Sequence, residues 1–116
     1  MRRFLLGALG AFVLASSAIG ATPYSATSLL IACTNADNDA REVGTVAELE
    51  CEQYVMGFIH ALEETGDTTI CPPERNTADE ARWAYMRWVH QDYGTRKDMT
   101  AGAALLGTLK DNFPCN

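Results

Sequence analysis

The four cysteines, Cys33, Cys51, Cys71 and Cys115, constrain this chain more than any other feature. They matter because of what precedes them. Met1-Arg2-Arg3 opens the chain with two cations, Phe4 to Ala15 is almost wholly apolar, and Ser16 to Ala21 are small residues apart from Ile19. A charged start, a short apolar run and a small-residue zone make a secretory leader. Cleavage is expected after Ala18 or Ala21, leaving one mature domain over 22–116. The apolar run is too short for a comfortable membrane span. An even number of cysteines in a short exported chain implies disulfides, formed in an oxidising compartment such as the periplasm.

Other uses of the cysteines fit less well. No two of them lie at metal-ligand spacing, and neither His60 nor His90 flanks a cysteine closely, so no metal or other cofactor is expected. Leu30-Ile31-Ala32-Cys33 has the form of a lipoprotein box. However, the polar stretch Thr22 to Ser28 separates it from the leader's apolar run, and lipidation would leave an odd thiol. Arg2-Arg3-Phe4-Leu5 faintly matches a twin-arginine signal, but an ordinary leader explains the same residues.

The chain carries 9 basic and 15 acidic residues, a net charge of −6. Both leader arginines leave on cleavage and no acid does, so the mature chain stands at −8. This charge disfavours nucleic acid and anionic membrane as partners and suits a basic protein surface.

Four helices and no strands are predicted, giving an all-α class and a small up-down bundle of four helices. The first covers Ala26 to Cys33, followed by a polar loop, Thr34 to Gly44. Thr45-Val46-Ala47-Glu48 is a capping box that starts the second helix. Cys51, Tyr54, Val55, Phe58, Ala61 and Leu62 share its inner face, Gly57 beside them suits a close contact, and Thr65-Gly66 stops it. Cys71-Pro72-Pro73 cannot be helical. A second box, Thr77-Ala78-Asp79-Glu80, opens the third helix, whose inner stripe is Ala81, Tyr85, Trp88 and Val89 and which stops at Tyr93-Gly94. Asp98 is expected to cap the fourth helix, with Gly102, Leu105, Leu106, Leu109 and Phe113 facing inward. Thr100, Ala103, Ala104 and Gly107 are then left as a smooth back. Up-down topology brings the end of the first helix to the start of the second, and the far ends of the second and fourth together. The predicted pairs are therefore Cys33–Cys51 and Cys71–Cys115.

Enzymatic signals are weak. The adjacent pairs Glu63-Glu64 and Asp79-Glu80 splay about 100° apart on a helix and form no dyad, and no phosphate-binding glycine loop follows a strand. More informative are the residues that break amphipathicity. Trp83 lies opposite the inner stripe of its helix, with Arg87 and His90 following at i+4 and i+7. The turn Tyr93 to Lys97 presents an aromatic and two cations, Arg96 and Lys97. Leu49, Met56 and His60 face away from the core of the second helix. Tryptophan and arginine dominate protein–protein hot spots, so Trp83, Arg87, His90, Tyr93, Arg96 and Lys97 are the candidate partner-binding residues. Leu49 and Met56 are the candidates for self-association as a homodimer.

The ordered run Cys51-Glu52-Gln53-Tyr54-Val55-Met56-Gly57-Phe58-Ile59-His60-Ala61-Leu62, then Cys71-Pro72, an aromatic-rich helix, and Ala104-Leu105-Leu106 through Leu109 to Phe113-Pro114-Cys115 resembles the Rap/Tai immunity proteins of bacterial type VI secretion. The similarity covers Ser28 to Cys115. It implies a periplasmic, helical, often dimeric protein that is not an enzyme. Such a protein binds an incoming peptidoglycan amidase, a papain-like cysteine hydrolase, and blocks its active site. Tyr54, Gly57 and Ala61 match the family's packing positions, and the four cysteines match its disulfide positions. Effector contacts vary across the family, so none is carried over. The chain departs from the pattern in the turn before the last helix, where Gly94-Thr95-Arg96-Lys97 stands without the expected proline. Three alternatives stay open: an acid-stress chaperone of the HdeA type, an exported helical binding protein of unrelated duty, and an enzyme. Dye-binding apolar surface that appears as pH falls would mark the chaperone. Turnover lost on substituting a histidine or an acid would mark an enzyme.

Overall fold

The computed structural model describes residues 22–38 and 45–116. The expected leader with its expected cleavage positions, and residues 39–44 of the expected loop, lie outside the described residues. Five helices follow in order among the described residues: α1 (Ala26–Asn38), α2 (Val46–Glu64), α3 (Thr77–Gln91), α4 (Tyr93–Arg96) and α5 (Ala101–Asn112). The expected all-α class holds. The count of four does not, because the segment expected to be a plain turn closes into the one-turn helix α4.

The stripe Ala26, Leu29, Leu30, Cys33 and Ala36 is buried along α1, and Ser25 caps the helix by accepting from the Ser28 N–H at 3.0 Å. The helix runs five residues past Cys33 because Ala36 extends the stripe by one position. Polar Thr34, Asn35 and Asp37 fall on faces the core does not need. Thr34 to Asn38 are thus helical, not loop, and Cys33 is a mid-helix residue.

The start of α2 follows its capping box, with Thr45 Oγ1 accepting from the Glu48 N–H at 3.2 Å. Its stop is the expected glycine: Gly66 takes φ 73°, a left-handed conformation that costs glycine little. The buried ridge is Cys51, Val55 and Ile59. Ala61, expected inside, is exposed, because i, i+4 rows form the ridges that pack between helices. Gly57 makes no close approach, since a Cβ there would meet nothing within 4 Å.

α3 buries its expected residues and Ala84 as well. Its start differs from the predicted box. Asn76, at φ 52°, is the cap, and the Thr77 hydroxyl donates to the Pro73 carbonyl at 2.6 Å. Thr77 is itself the first helical residue and so does not occupy the cap position. α5 is capped by Thr100, whose Oγ1 accepts from the Ala103 N–H at 3.2 Å. The predicted cap, Asp98, instead holds Lys97 Nζ at 2.6 Å. Leu105 and Leu109 are fully buried, while Leu106 and Phe113 pack half-buried against them. The back of α5 is only partly a surface. Ala104 is buried, and a Cβ on Gly107 would lie 2.7 Å from Trp88 Cζ2.

Packing centres on α1, which touches α2, α3 and α5, while α3 packs on α2 and α5. Tyr85, wholly buried, donates its hydroxyl to the Ala26 carbonyl at 2.7 Å and so ties α3 to the first turn of α1. Both ends of α5 are clamped by paired backbone bonds. At the front, Ala26 N–H donates to Met99 and Ala101 N–H to Tyr24, each at 2.8 Å. At the back, Cys71 N–H donates to Phe113 at 2.8 Å and Cys115 N–H to Thr69 at 3.0 Å.

The disulfides are Cys33–Cys51 and Cys71–Cys115, the predicted pairs, with Cα atoms 5.0 and 4.9 Å apart. Each closure stabilises a small domain by about 2–4 kcal/mol. The first staples the flank of α1, not its end. The second reinforces the backbone clamp behind α5.

Candidate functional site

Burial of Ala81, Ala84, Tyr85, Trp88 and Val89 turns the opposite side of α3 to solvent, and Trp83, Arg87 and His90 stand there exposed. Trp83 keeps 43% of its surface open and Tyr93 keeps 44%. The His90 and Tyr93 rings stack, 6.1 Å between centroids and 22° between planes. The two regions singled out from the sequence, the α3 strip and the following turn, therefore join into one surface.

The cation on Trp83 is Arg82, whose guanidinium carbon lies 5.4 Å from the ring centroid. Arg82 also pairs with Asp37 at 3.4 Å and Asp79 at 3.5 Å. The strip is thus braced to the end of α1. The sequence pattern pointed to Arg87 as the neighbour because i+4 residues share a face; the adjacent residue reaches the ring instead.

The two cations of the turn play different parts. Arg96 is half-buried and folds back over Trp88, 3.7 Å from the ring centroid. Lys97 is bonded to Asp98, whose hydrogen bond and charge raise the exposed ammonium above the usual lysine value. The Lys97 carbonyl accepts from the Thr27 hydroxyl at 2.8 Å. Of the turn's three named residues, Tyr93 is the one left projecting.

On α2, Leu49 is 49% exposed and Val46, one turn earlier, 82%. Met56, expected to face away from the core, is half-buried and packs against it. It also borders an open hollow of about 340 Å³ between α2 and the start of α3. A smaller, more enclosed hollow beside it, about 190 Å³, lies where α1, α2 and α3 meet and is lined by Ala36, Glu48, Glu52, Ala78, Asp79 and Arg82. Of these acids, the sequence pattern singled out Asp79 and Glu48 alone, Asp79 in an adjacent pair that forms no dyad and Glu48 in a capping box. Nothing short of helix packing brings Glu48 and Glu52 to Asp79. No group of three or more histidines, cysteines or carboxylates among the described residues is placed to hold a metal ion.

A small all-α protein, stapled twice, here presents an exposed aromatic strip of the kind that protein-binding domains use. The model of the Rap1a immunity proteins matches residues 25–115, and the chain belongs to that family. Membership makes it a type VI effector immunity protein, whose partner is a protein effector. No curated protein and no solved structure matches the chain. The two disulfides accord with a secreted or periplasmic location. Among the described residues no helix is long and apolar enough to cross a membrane.

Proposed function

We propose that this immunity protein acts in the periplasm, where it binds a peptidoglycan amidase effector and covers its catalytic cleft. The observation that carries the placement of the contact is the stacking of His90 on Tyr93, which extends the Trp83–Arg87–His90 strip to a second exposed aromatic. Rigid aromatics with open faces make good anchors, since they bury large area at small entropic cost. The acidic chain steers toward a basic cleft over long range, and the aromatics slow dissociation.

The test is the dissociation rate of a purified type VI amidase from the wild-type chain and from Trp83→Ala, Tyr93→Ala and the double variant. Each single change should weaken binding roughly 30-fold, the equivalent of a 2 kcal/mol hot spot, with the helical spectrum intact. An unaltered off-rate in the double variant sinks this placement and moves the contact elsewhere, the Thr34–Gly44 stretch first.

Self-association belongs to the same reading, with a homodimer formed through the Leu49 side of α2. Val46 and Leu49 supply exposed apolar area there. Leu49→Glu is a cleaner probe than a change at half-buried Met56, and it should convert a dimer to a monomer by sedimentation. An unchanged profile removes this face.

A further inference from the structure

α3 ends without a glycine cap. Its C-cap is Asp92, at φ −144° and ψ 57°, and the last four residues of any helix carry carbonyls short of helical partners. Arg96 reaches back from α4 to this end. Its guanidinium lies over the Trp88 ring, and its Nη1–H donates to the Trp88 carbonyl. A cation at that position also meets the negative end of the helix dipole.

The platform beneath the guanidinium is fixed. Trp88 Nε1–H donates to Asp111 Oδ2 at 2.7 Å, and the indole packs so closely on Gly107 that no side chain fits between them. α5 therefore holds Trp88, and Trp88 holds Arg96. α4 needs the support, for it is a single turn. Its amides of Thr95, Arg96 and Lys97 donate to Asp92, Asp92 and Tyr93 at 3.2, 3.0 and 3.0 Å. One isolated turn is marginal in water.

We propose that Arg96 is a positioning residue: clamped on Trp88, it fixes the α4 turn so that Tyr93 stands stacked on His90, pre-organised for the protein partner, while Arg96 itself touches no partner atom. The inference rests on the strip being the partner surface, as proposed above. Without the clamp, the cost of ordering Tyr93 falls on the binding step.

The experiment uses residues 22–116 and two variants. Arg96→Gln removes charge and stacking; Arg96→Lys keeps the charge but lacks the planar fork. Amide hydrogen exchange at Thr95 and Lys97 should quicken by about tenfold or more in both, while α2 amides such as Val55 and Ile59 stay as in wild type. The proton–proton contacts between the His90 and Tyr93 rings should vanish together with that protection. Exchange at Thr95 and Lys97 that stays at the wild-type rate overturns the proposal, as does uniform quickening across α1, α2 and α3. A lysine variant indistinguishable from wild type overturns it as well. These readouts need no effector. Failure of the partner-surface reading shows separately, as an amidase off-rate unmoved by Tyr93→Ala.

Discussion

Two mid-helix glycines separate the local from the tertiary at the scale of one methyl group. Gly57 opens onto empty space, while Gly107 lies under the Trp88 indole, itself held by Asp111 and Arg96. Gly57→Ala should stabilise by about 0.5–1 kcal/mol, because alanine loses less backbone freedom on folding. Gly107→Ala gains the same propensity but drives a Cβ into an indole that cannot retreat. Overpacking of this kind costs about 1–3 kcal/mol, so a net loss is expected. Urea midpoints of the two variants should move in opposite directions; a shared rise would mean Trp88 is free to shift. Neither glycine was placed correctly from sequence. Helical periodicity gives each residue a direction around its own axis, and it is silent on which neighbour waits there. The same limit hid the inward turn of Arg96, which reads as a surface cation until Trp88 is beside it. Trp83 was legible, since a tryptophan opposite a buried stripe has no core to enter.

Elements were legible where their signals were local. Thr45 caps α2 and Gly66 ends it because cap chemistry depends on residues within a turn of each other. Misplacements arose where the helix starts a residue or two from the local signal: Asn76, not Thr77, holds the cap position of α3, and Thr100, not Asp98, caps α5. The cysteine pairing survived the error in the length of α1, because four cysteines and antiparallel neighbours leave few workable partners. The two staples differ in access. Cys33 and Cys51 are fully buried, whereas Cys71 is exposed and Cys115 partly so. Mild reductant followed by alkylation should therefore label Cys71 and Cys115 first. The opened chain should stay helical, with the backbone bonds at Thr69, Cys71, Phe113 and Cys115 still holding the end of α5. It should be weaker by about 2–4 kcal/mol. Alkylation of Cys33 ahead of Cys71 would contradict this order.

For the molecule as a whole, the class and the family were readable from the ordered run Cys51 to Leu62, Cys71-Pro72 and Phe113-Pro114-Cys115, and the family match over residues 25–115 agrees. The partner surface was readable only in fragments, since the stacking that joins the α3 strip to α4 depends on how the chain turns after Gln91. The fold also bears on the chaperone alternative: with α5 clamped at both ends and two disulfides in place, little of the core is free to open. The function proposed for this immunity protein is to stop a peptidoglycan amidase. Its most direct test is peptidoglycan hydrolysis by a purified type VI amidase from the same cell, titrated with residues 22–116. Product release should fall in proportion to added protein and reach background near equimolar amounts, and the inhibition should weaken with Trp83→Ala and Tyr93→Ala. Full hydrolysis at saturating protein would contradict the account.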